Sequence, residues 1–339
     1  MVASPGRSPD NRRLMTDASR PAAAPSPTAA PAPAPPSRPA RVPDGRSIDR
    51  STLWLLAVMS LLWGVNWPMM KPAVAELGPW MFRAICLLIA TVGMLLLVRA
   101  TGERMRLPPR ALVGPLILIS LINVTLWHVL TGFGLAYMAA GRAGIIAYLM
   151  PVISTVMAAP MLGEKLTLRK VVALFLGAAG LAVLILPEIG RIGGDLRGPL
   201  LMLGSAFAWA IGTMLVKGRR WGYSPAQLTT WQLLVGSPPL ILLALILAPL
   251  PDPAAVSAMG WVGLIYASTV AMIWCHYTWY RILDRLPASI ASISTLAIPA
   301  VGVISSAILL GEPLGFTEFA ALALVLAAIA IVIRPKAAG

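Results

Sequence analysis

The sequence predicts an all-α integral membrane protein with ten transmembrane helices in two inverted five-helix repeats. Three observations carry this prediction: an apolar composition, the regular recurrence of long apolar segments, and an internal duplication. Hydrophobic residues make up 58% of the chain and charged residues 12%, whereas soluble domains average roughly half and roughly a quarter. The composition therefore excludes an ordinary water-soluble fold.

Ten apolar segments recur between residues 52 and 333, each long enough to cross a membrane. A hydrocarbon core of about 30 Å requires roughly 20 residues of α-helix. The segments comprise residues 52–73, 79–98, 111–136, 143–162, 170–187, 199–216, 228–249, 260–282, 288–310 and 315–333. Unbroken runs such as ALVGPLILISLI lack the polar and apolar alternation of a transmembrane β-barrel, so we predict helices.

The first 50 residues have a different composition. They contain the tract PAAAPSPTAAPAPAPPSRPAR and eight arginines, with few large apolar side chains that could form a core. Such a composition predicts a disordered tail. The tail lacks the apolar stretch of a secretory signal peptide.

The net charge of +14 predicts an orientation in the membrane. On the ten-segment scheme, 22 lysines and arginines lie on the side that holds both termini, and 4 lie on the opposite side. Positive loops stay in the cytoplasm, so both termini are predicted to be cytoplasmic in a bacterial-type inner (plasma) membrane. Attraction to anionic lipids accounts for the remaining charge, and no nucleic-acid partner is predicted.

The sequence contains an internal duplication with a constant offset of 148 residues. Residues 128–187 align without a gap to residues 276–335, with 18 identities in 60 positions. The chain has two histidines, His128 and His276, and they obey this offset. We therefore predict a first repeat at residues 52–187 and a second at 198–335.

Each repeat holds five predicted helices, and an odd number places the second repeat upside down relative to the first. Inverted repeats are the usual architecture of secondary transporters, with the substrate site near the midplane between the halves. Two nearly equivalent packings of the halves would then give inward-open and outward-open states. The sequence thus indicates a transporter that works by alternating access.

Three motifs resemble those of the drug/metabolite transporter superfamily, in particular its EamA-type ten-helix members. WGVNWPMMK resembles the first-helix motif of that family, FRAICLLIA the start of its second helix, and AYLMPVISTVMAAPMLGEKLT its fourth-helix signature. The likeness covers residues 52–335. It implies an inner-membrane carrier, commonly an exporter of amino acids, related metabolites or toxic organic compounds.

Polar and aromatic side chains within the predicted helices form the candidate substrate path. Ionisable groups are costly in lipid, so His128 and His276 should face the interior, either in the substrate path or bridging two helices. Trp63, Asn66 and Trp67 share one helical face suited to an amphipathic organic ligand. The other candidates lie on further predicted helices and complete an aromatic, mostly uncharged lining: Asn123, Trp127, Trp209, Trp231, Gln232 and Tyr280.

Arg83 is a candidate for binding a substrate carboxylate, although its place one turn inside the second helix also suits a side chain that extends to the membrane surface. Pro151 and Pro299 each remove a backbone hydrogen bond, so we predict helix kinks that serve as a gate or hinge. Glu164 and Glu312 follow a glycine at the end of a helix and are predicted to cap or tether a turn.

These features predict an exporter of small amphipathic solutes, amino acids or related metabolites, present as a monomer or homodimer. An efflux carrier for lipophilic or quaternary ammonium drugs is the alternative that the aromatic lining also suits. A lipid-acting enzyme lacks support because the sequence has no HExxH, no GxSxG and no midspan carboxylate. A non-transporting scaffold is a further alternative, and no catalytic residue, cofactor or metal is predicted.

Overall fold

The computed structural model describes residues 50–162, 167–189, 195–285 and 297–333, and within these ranges the chain forms helices and no strands. The predicted disordered tail comprises residues 1–50; Arg50 begins the first helix, whereas residues 1–49 lie outside the described residues, as do Glu164 and the segment 286–296. Seven helical stretches among the described residues are long and apolar enough to cross a membrane, when consecutive helices are counted as one stretch. Two further apolar helices are shorter. The all-helical membrane fold class is therefore confirmed.

The helices follow one another with short connections. In chain order they are α1 (Arg50–Ala100), α2 (Arg110–Ser120), π1 (Leu121–Leu126), α3 (Trp127–Tyr137), α4 (Ala140–Ala147), α5 (Met150–Leu162), α6 (Leu168–Ile189), α7 (Arg197–Lys217), α8 (Pro225–Leu247), α9 (Ala258–Ile265), π2 (Tyr266–Cys275), α10 (His276–Arg285), α11 (Ala297–Leu310) and α12 (Phe316–Ile333). The π-helical turns π1 and π2 join their neighbours into the continuous helices α2–π1–α3 and α9–π2–α10.

Helix α1 is divided by Gly78 into two arms. Its 51 residues would form a rod of about 77 Å if straight, far longer than a bilayer core. Gly78 has φ 73° and ψ 155°, a conformation that glycine adopts without steric cost. The first arm runs to Leu77, four residues beyond the predicted end at residue 73.

The first arm runs alongside α9 and π2 in the antiparallel direction. The carbonyl of Met69 lies against Gly263, close enough that a Cβ added there would be 2.1 Å away. Seven residues earlier, the carbonyl of Leu62 accepts a hydrogen bond of 2.7 Å from the Tyr266 hydroxyl. From the first of these contacts to the second, the residue number falls along the first arm and rises along α9 and π2, so the two run in opposite directions.

The second arm runs alongside the same helix in the parallel direction. Cys86 Sγ lies 3.9 Å from the carbonyl of Leu264, and a Cβ added to Gly93 would meet the Ile273 side chain. Between these two contacts the residue numbers rise on both helices, so the second arm is parallel to α9 and π2. Because the first arm is antiparallel to them, the two arms run antiparallel to each other. Gly78 therefore turns α1 into a helical hairpin.

The helix contacts recur in matching sets across the two halves. The second arm packs on α8, α6 on α12, and α4 on α11. The first arm contacts α9, π2 and α11, while α7 contacts α3, π1, α4 and α5. Close approach at several of these crossings depends on glycine, as where Gly64 faces the Val301 side chain.

Polar contacts at one end of the helices, here called the Lys71 end, tie the segments together. The Lys71 ammonium donates to the carbonyls of Leu135, in the last turn of α3, and of Met138, just after that helix, at 2.6 and 2.8 Å. Glu312 accepts from the backbone N–H groups of Ala140 and Gly141 at 2.6 and 2.9 Å. A second set of bonds joins side chains across this end: Arg142 to Glu318, and Ser257 to Glu76.

The opposite end, here called the Glu103 end, has its own set of contacts. The Ser224 hydroxyl donates to Glu103 at 2.6 Å, and the backbone carbonyl of Arg106 accepts from the Tyr223 hydroxyl at 3.2 Å. The N-terminus of α8 is closed here by a capping box between Ser224 and Gln227.

Many outward-facing side chains on the helices are large and apolar. Leu88, Val92 and Leu96 follow one face of the second arm and are 54%, 49% and 63% exposed. Exposed apolar surface on this scale is unfavourable in water but matches lipid tails. The protein is therefore a multi-pass membrane protein whose surroundings are a lipid bilayer.

Candidate functional site

Arg83 lies on the second arm of α1 and is buried, with only 5% of its surface exposed. One guanidinium nitrogen, Nη2, donates to the Thr131 hydroxyl on α3 at 2.9 Å, whereas Nε is buried without a hydrogen-bond partner. Gly132 makes room for the arginine stem, since a Cβ there would lie 3.1 Å from Arg83 Cγ. The side chain thus turns inward, and the expectation that it extends to the membrane surface is wrong.

Both histidines lie just after a π-helical segment: His276 directly follows π2, and His128 is the second residue after π1. Nδ1 of His128 lies 2.7 Å from the carbonyl of Val124, and Nδ1 of His276 lies 3.0 Å from that of Ala271. Because a carbonyl only accepts, Nδ1 carries the proton, and Nε2 of the neutral ring is left as an acceptor. These bonds lie within one helix and do not bridge two helices.

The His276 ring also contacts the first arm of α1. Its centroid lies 5.1 Å from that of Trp63 in an edge-to-face arrangement, a favoured geometry for aromatic pairs. Trp279 approaches the same indole at 6.4 Å. Two predicted site residues, Trp63 and His276, are therefore brought together although 213 positions separate them in the chain.

A second aromatic pair joins the halves through α3 and α7. The rings of Trp127 and Trp209 are 5.0 Å apart and tilted by 57°. Nearby along the same helices, a Cβ added to Gly212 would lie 1.7 Å from Asn123 Oδ1. The helices can therefore approach closely only because residue 212 has no side chain.

Two of the predicted amides meet at the contact between π1 and α8. Asn123 Nδ2 donates to Gln232 Oε1 at 3.0 Å, while Asn123 Oδ1 is buried without a partner. Asn66 on the first arm has the same property: Nδ2 contacts Met70 Sδ at 3.5 Å, and Oδ1 is buried without a partner. Both side chains keep an unused acceptor in the interior.

Two predicted site residues, Trp67 and Trp231, stand apart from these groups. Trp67 is 6% exposed and lies between Gly144 and Gly302, whose added Cβ atoms would each approach its ring to 3.3 Å. Trp231 donates from Nε1 to the Arg106 carbonyl at 3.1 Å, at the Glu103 end. The side chain of Tyr280 lies outside the described residues.

Pro151 lies in the first turn of α5, and Pro299 lies in the first described turn of α11. The chain is helical up to Ala147, turns at residues 148–149, and resumes at Met150, so Pro151 is the second residue of α5. Proline is tolerated in this position because its missing N–H would have no helical partner. Pro299 is the third residue of α11, and the residues before α11 lie outside the described ranges.

Sequence reasoning did not identify the partners of Lys71 and Glu312. Sequence reasoning counted Lys71 among the four charges opposite the termini and treated Glu312 as a local turn cap. The signal for Glu312 was its place after Gly311, but its carboxylate reaches the N-terminus of α4, 171 positions away. Carboxylates stabilise such N-termini by accepting from their free N–H groups.

The charges near Arg83 are unbalanced. His128 lies close enough to Arg83 and His276 to interact with them electrostatically. The ion pairs found among the described residues, Arg142–Glu318 and Arg197–Asp195, do not include Arg83. No cluster of metal-ligating side chains occurs in the described ranges. The arrangement of the described residues is suited to binding.

With this geometry established, comparison with known proteins identifies the family. The sequence matches the EamA-like transporter family at residues 50–186 and again at 196–334. The chain belongs to the EamA-like transporter family. EamA proteins form part of the drug/metabolite transporter superfamily, as the sequence motifs predicted, so the resemblance is confirmed.

Curated relatives are similar to this chain over most of their length. The chain is 32% identical to the uncharacterized transporter YvbV of Bacillus subtilis (strain 168), over 83% of this chain and 91% of that protein. It is 24% identical to a probable amino-acid metabolite efflux pump of Salmonella typhimurium, over 84% of this chain and 95% of that protein. A crystal structure with 19% identity aligns with a TM-score of 0.58 over 84% of this chain and 96% of its own, which supports the fold alone.

Proposed function

We propose that this EamA protein is a secondary transporter that exports small amphipathic organic solutes, such as amino acids or related metabolites, by alternating access. The proposal includes ten membrane crossings in two inverted repeats, at residues 52–187 and 198–335. Both termini are cytoplasmic in a bacterial-type inner membrane, with the basic Glu103 end on the same side.

The observation that carries the proposal is the exchange symmetry of the helix contacts. Most of the larger helix contacts are preserved when the first arm is exchanged with α7, the second arm with α8, and α2–π1–α3 with α9–π2–α10. In the same exchange, α4 and α5 correspond to α11, and α6 corresponds to α12. Such a relation between halves with five crossings each requires an axis in the membrane plane. This is the architecture in which one half rocks against the other.

Local details obey the same 148-residue offset. The turn π1 at residues 121–126 corresponds to 269–274, which lies inside π2. Helix α6 begins at Leu168 and α12 at Phe316, 148 positions later. Because π-helical turns are rare and occur often at functional sites, their recurrence beside both histidines supports a substrate path there.

The substrate class is supported by relatives and by the residues of the interior. Two relatives are named probable amino-acid metabolite efflux pumps. The proposed path contains the pairs Trp63–His276 and Trp127–Trp209 and the amide pair Asn123–Gln232. Indole rings and amides together suit solutes that carry both an apolar part and a polar group.

Counterflow in proteoliposomes tests the proposal. The purified chain is reconstituted with an excess of unlabelled amino acids inside, and uptake of each labelled amino acid is measured. We expect transient accumulation of at least one amino acid above empty liposomes. Trp63→Ala should raise its half-saturating concentration about tenfold, because edge-to-face and stacking contacts are lost.

Trp274→Ala is the matched control, because Trp274 is 36% exposed and outside the proposed path, so its loss should leave half-saturation unchanged. Background flux with every amino acid and metabolite would contradict the transport proposal and favour a scaffold. Flux of tetraphenylphosphonium alone would instead support the lipophilic-cation alternative. Equal effects of the two tryptophan variants would remove Trp63 from the path while leaving transport intact.

A further inference from the structure

Arg83 differs from Arg142 and Arg197 in its surroundings. Arg142 and Arg197 are paired with carboxylates at the ends of the helices, whereas the hydrogen-bond partner of Arg83 is the neutral hydroxyl of Thr131. It lies five residues past Gly78, about 7–8 Å along the helix from the turn. A 95% buried cation at this depth is costly unless a partner compensates its charge.

The unused hydrogen-bonding capacity of Arg83 indicates the kind of partner. Nε is buried and unpartnered, and Nε belongs to the edge of the guanidinium that grips a carboxylate through two parallel hydrogen bonds. The ring of Phe82, 5.1 Å from Cζ, lies against the cation but offers no full negative charge. A ligand carboxylate would satisfy both the charge and the free donor.

The neighbouring groups do not compensate this charge. His128, the nearest ionisable group on α3, is neutral or positive, and it lies within electrostatic range of Arg83. The described acidic side chains lie at the helix ends or in connections: Glu76, Glu103, Asp195, Asp252, Glu312 and Glu318. A cationic solute would meet repulsion here, whereas an anionic or zwitterionic solute would meet attraction.

We infer that Arg83 binds the carboxylate of the transported solute and thereby selects carboxylate-bearing solutes over organic cations. The inference rests on the proposed transport function and deepens it, because it assigns the charge recognised at that site. Thr131 positions the guanidinium by accepting from Nη2, which leaves Nε directed to the solute. The aromatic pairs then contact the apolar part.

A thermodynamic cycle tests this contact. Thermal stabilisation of the purified chain is measured with each common amino acid and with its carboxamide, which keeps the side chain and ammonium but lacks the negative charge. In the wild type, we expect stabilising amino acids to bind at least about tenfold more tightly than their amides, as for a lost charge-assisted pair. Tetraphenylphosphonium should not stabilise.

The same pairs are then measured in Arg83→Gln. If Arg83 contacts the carboxylate, the variant loses affinity for the acid but not for the amide, so the two changes are not additive. If Arg83 only supports the fold, acid and amide weaken alike and the inference is wrong. Arg197→Gln, at an exposed arginine paired with Asp195, is the matched control and should preserve the wild-type preference.

If Arg83→Gln does not fold, the affinities of the wild type for amino acids and for their amides still test the inference. Arg83→Lys is a second variant, which keeps the positive charge. Amides that bind as tightly as acids would overturn the inference, while counterflow of either would leave the transport proposal standing. If no acid, amide or cation stabilises the protein and no solute shows counterflow, both proposals fail.

Discussion

At the scale of single residues, the long polar side chains connect segments that are remote in sequence. Lys71 holds the first arm of α1 to the end of α3, and Glu312 holds the connection after α11 to the start of α4. Both use the free backbone groups at helix ends, which need a partner when they are shielded from water. These bonds close the Lys71 end.

Lys71→Gln should destabilise the protein by about 1–3 kcal/mol, because carbonyls that accept from a charged donor lose it in a half-buried place. The measurement is thermal unfolding in detergent, followed by tryptophan fluorescence. Lys217, the lysine that ends the corresponding helix of the second half, is exposed. Lys217→Gln should therefore change the unfolding temperature little, and equal effects of the two variants would contradict this account of Lys71.

At the scale of helices, glycine determines where two helices cross closely. A Cβ added to Gly263 on α9 would lie 2.1 Å from the backbone carbonyl oxygen of Met69. This oxygen belongs to the backbone, so it cannot move aside by a change of side-chain rotamer. Gly114 on α2 has no atom within 4 Å of its added Cβ. Replacing each of these two helical glycines with alanine therefore separates the effect of the helix crossing on stability from the effect of helix propensity.

Gly263→Ala should destabilise the protein by about 1–3 kcal/mol, since the crossing of α9 and the first arm must widen. Gly114→Ala should be neutral or stabilising by about 0.5–1 kcal/mol, because alanine restricts the unfolded chain and favours the helix. Thermal unfolding of both variants in the same detergent checks the difference. Destabilisation by Gly114→Ala of similar size would show that propensity, and not the crossing, dominates.

At the scale of the whole molecule, charge asymmetry supports the proposed orientation. The Glu103 end includes Arg99, Arg104, Arg106 and Arg110 beside Lys217, Arg219 and Arg220, whereas the Lys71 end has Lys71, Arg142 and Arg197 among the described residues. Loops rich in lysine and arginine are retained in the cytoplasm during insertion. The proposed orientation follows from this difference.

Cysteine labelling of intact cells tests the orientation. The chain has two cysteines, Cys86 and Cys275, both buried and free, so replacing each with alanine leaves no background thiol. A membrane-impermeant maleimide should label Ala254→Cys, near the Lys71 end, in intact cells. It should label Thr101→Cys, at the Glu103 end, only after lysis; the reverse result would invert the protein in the membrane.

The amino-acid sequence alone establishes the all-helical membrane class and the EamA family. Membrane crossings are readable because a bilayer imposes a length and an apolar composition on each segment separately. The duplication is equally visible, since it needs only a comparison of the chain with itself. Trp63, His128 and His276 could be selected as candidates because polar and aromatic groups stand out in apolar runs.

Only the tertiary structure decides which of these side chains meet. Spacing along one helix defines a face but not the helix that covers it, so Trp63 with His276 and Arg83 with Thr131 could not be paired from sequence. For the same reason Trp67, assigned to the face of Trp63, is enclosed between Gly144 and Gly302. The rotation and register of each helix depend on its packing against all its neighbours at once, and this is a property of the folded chain.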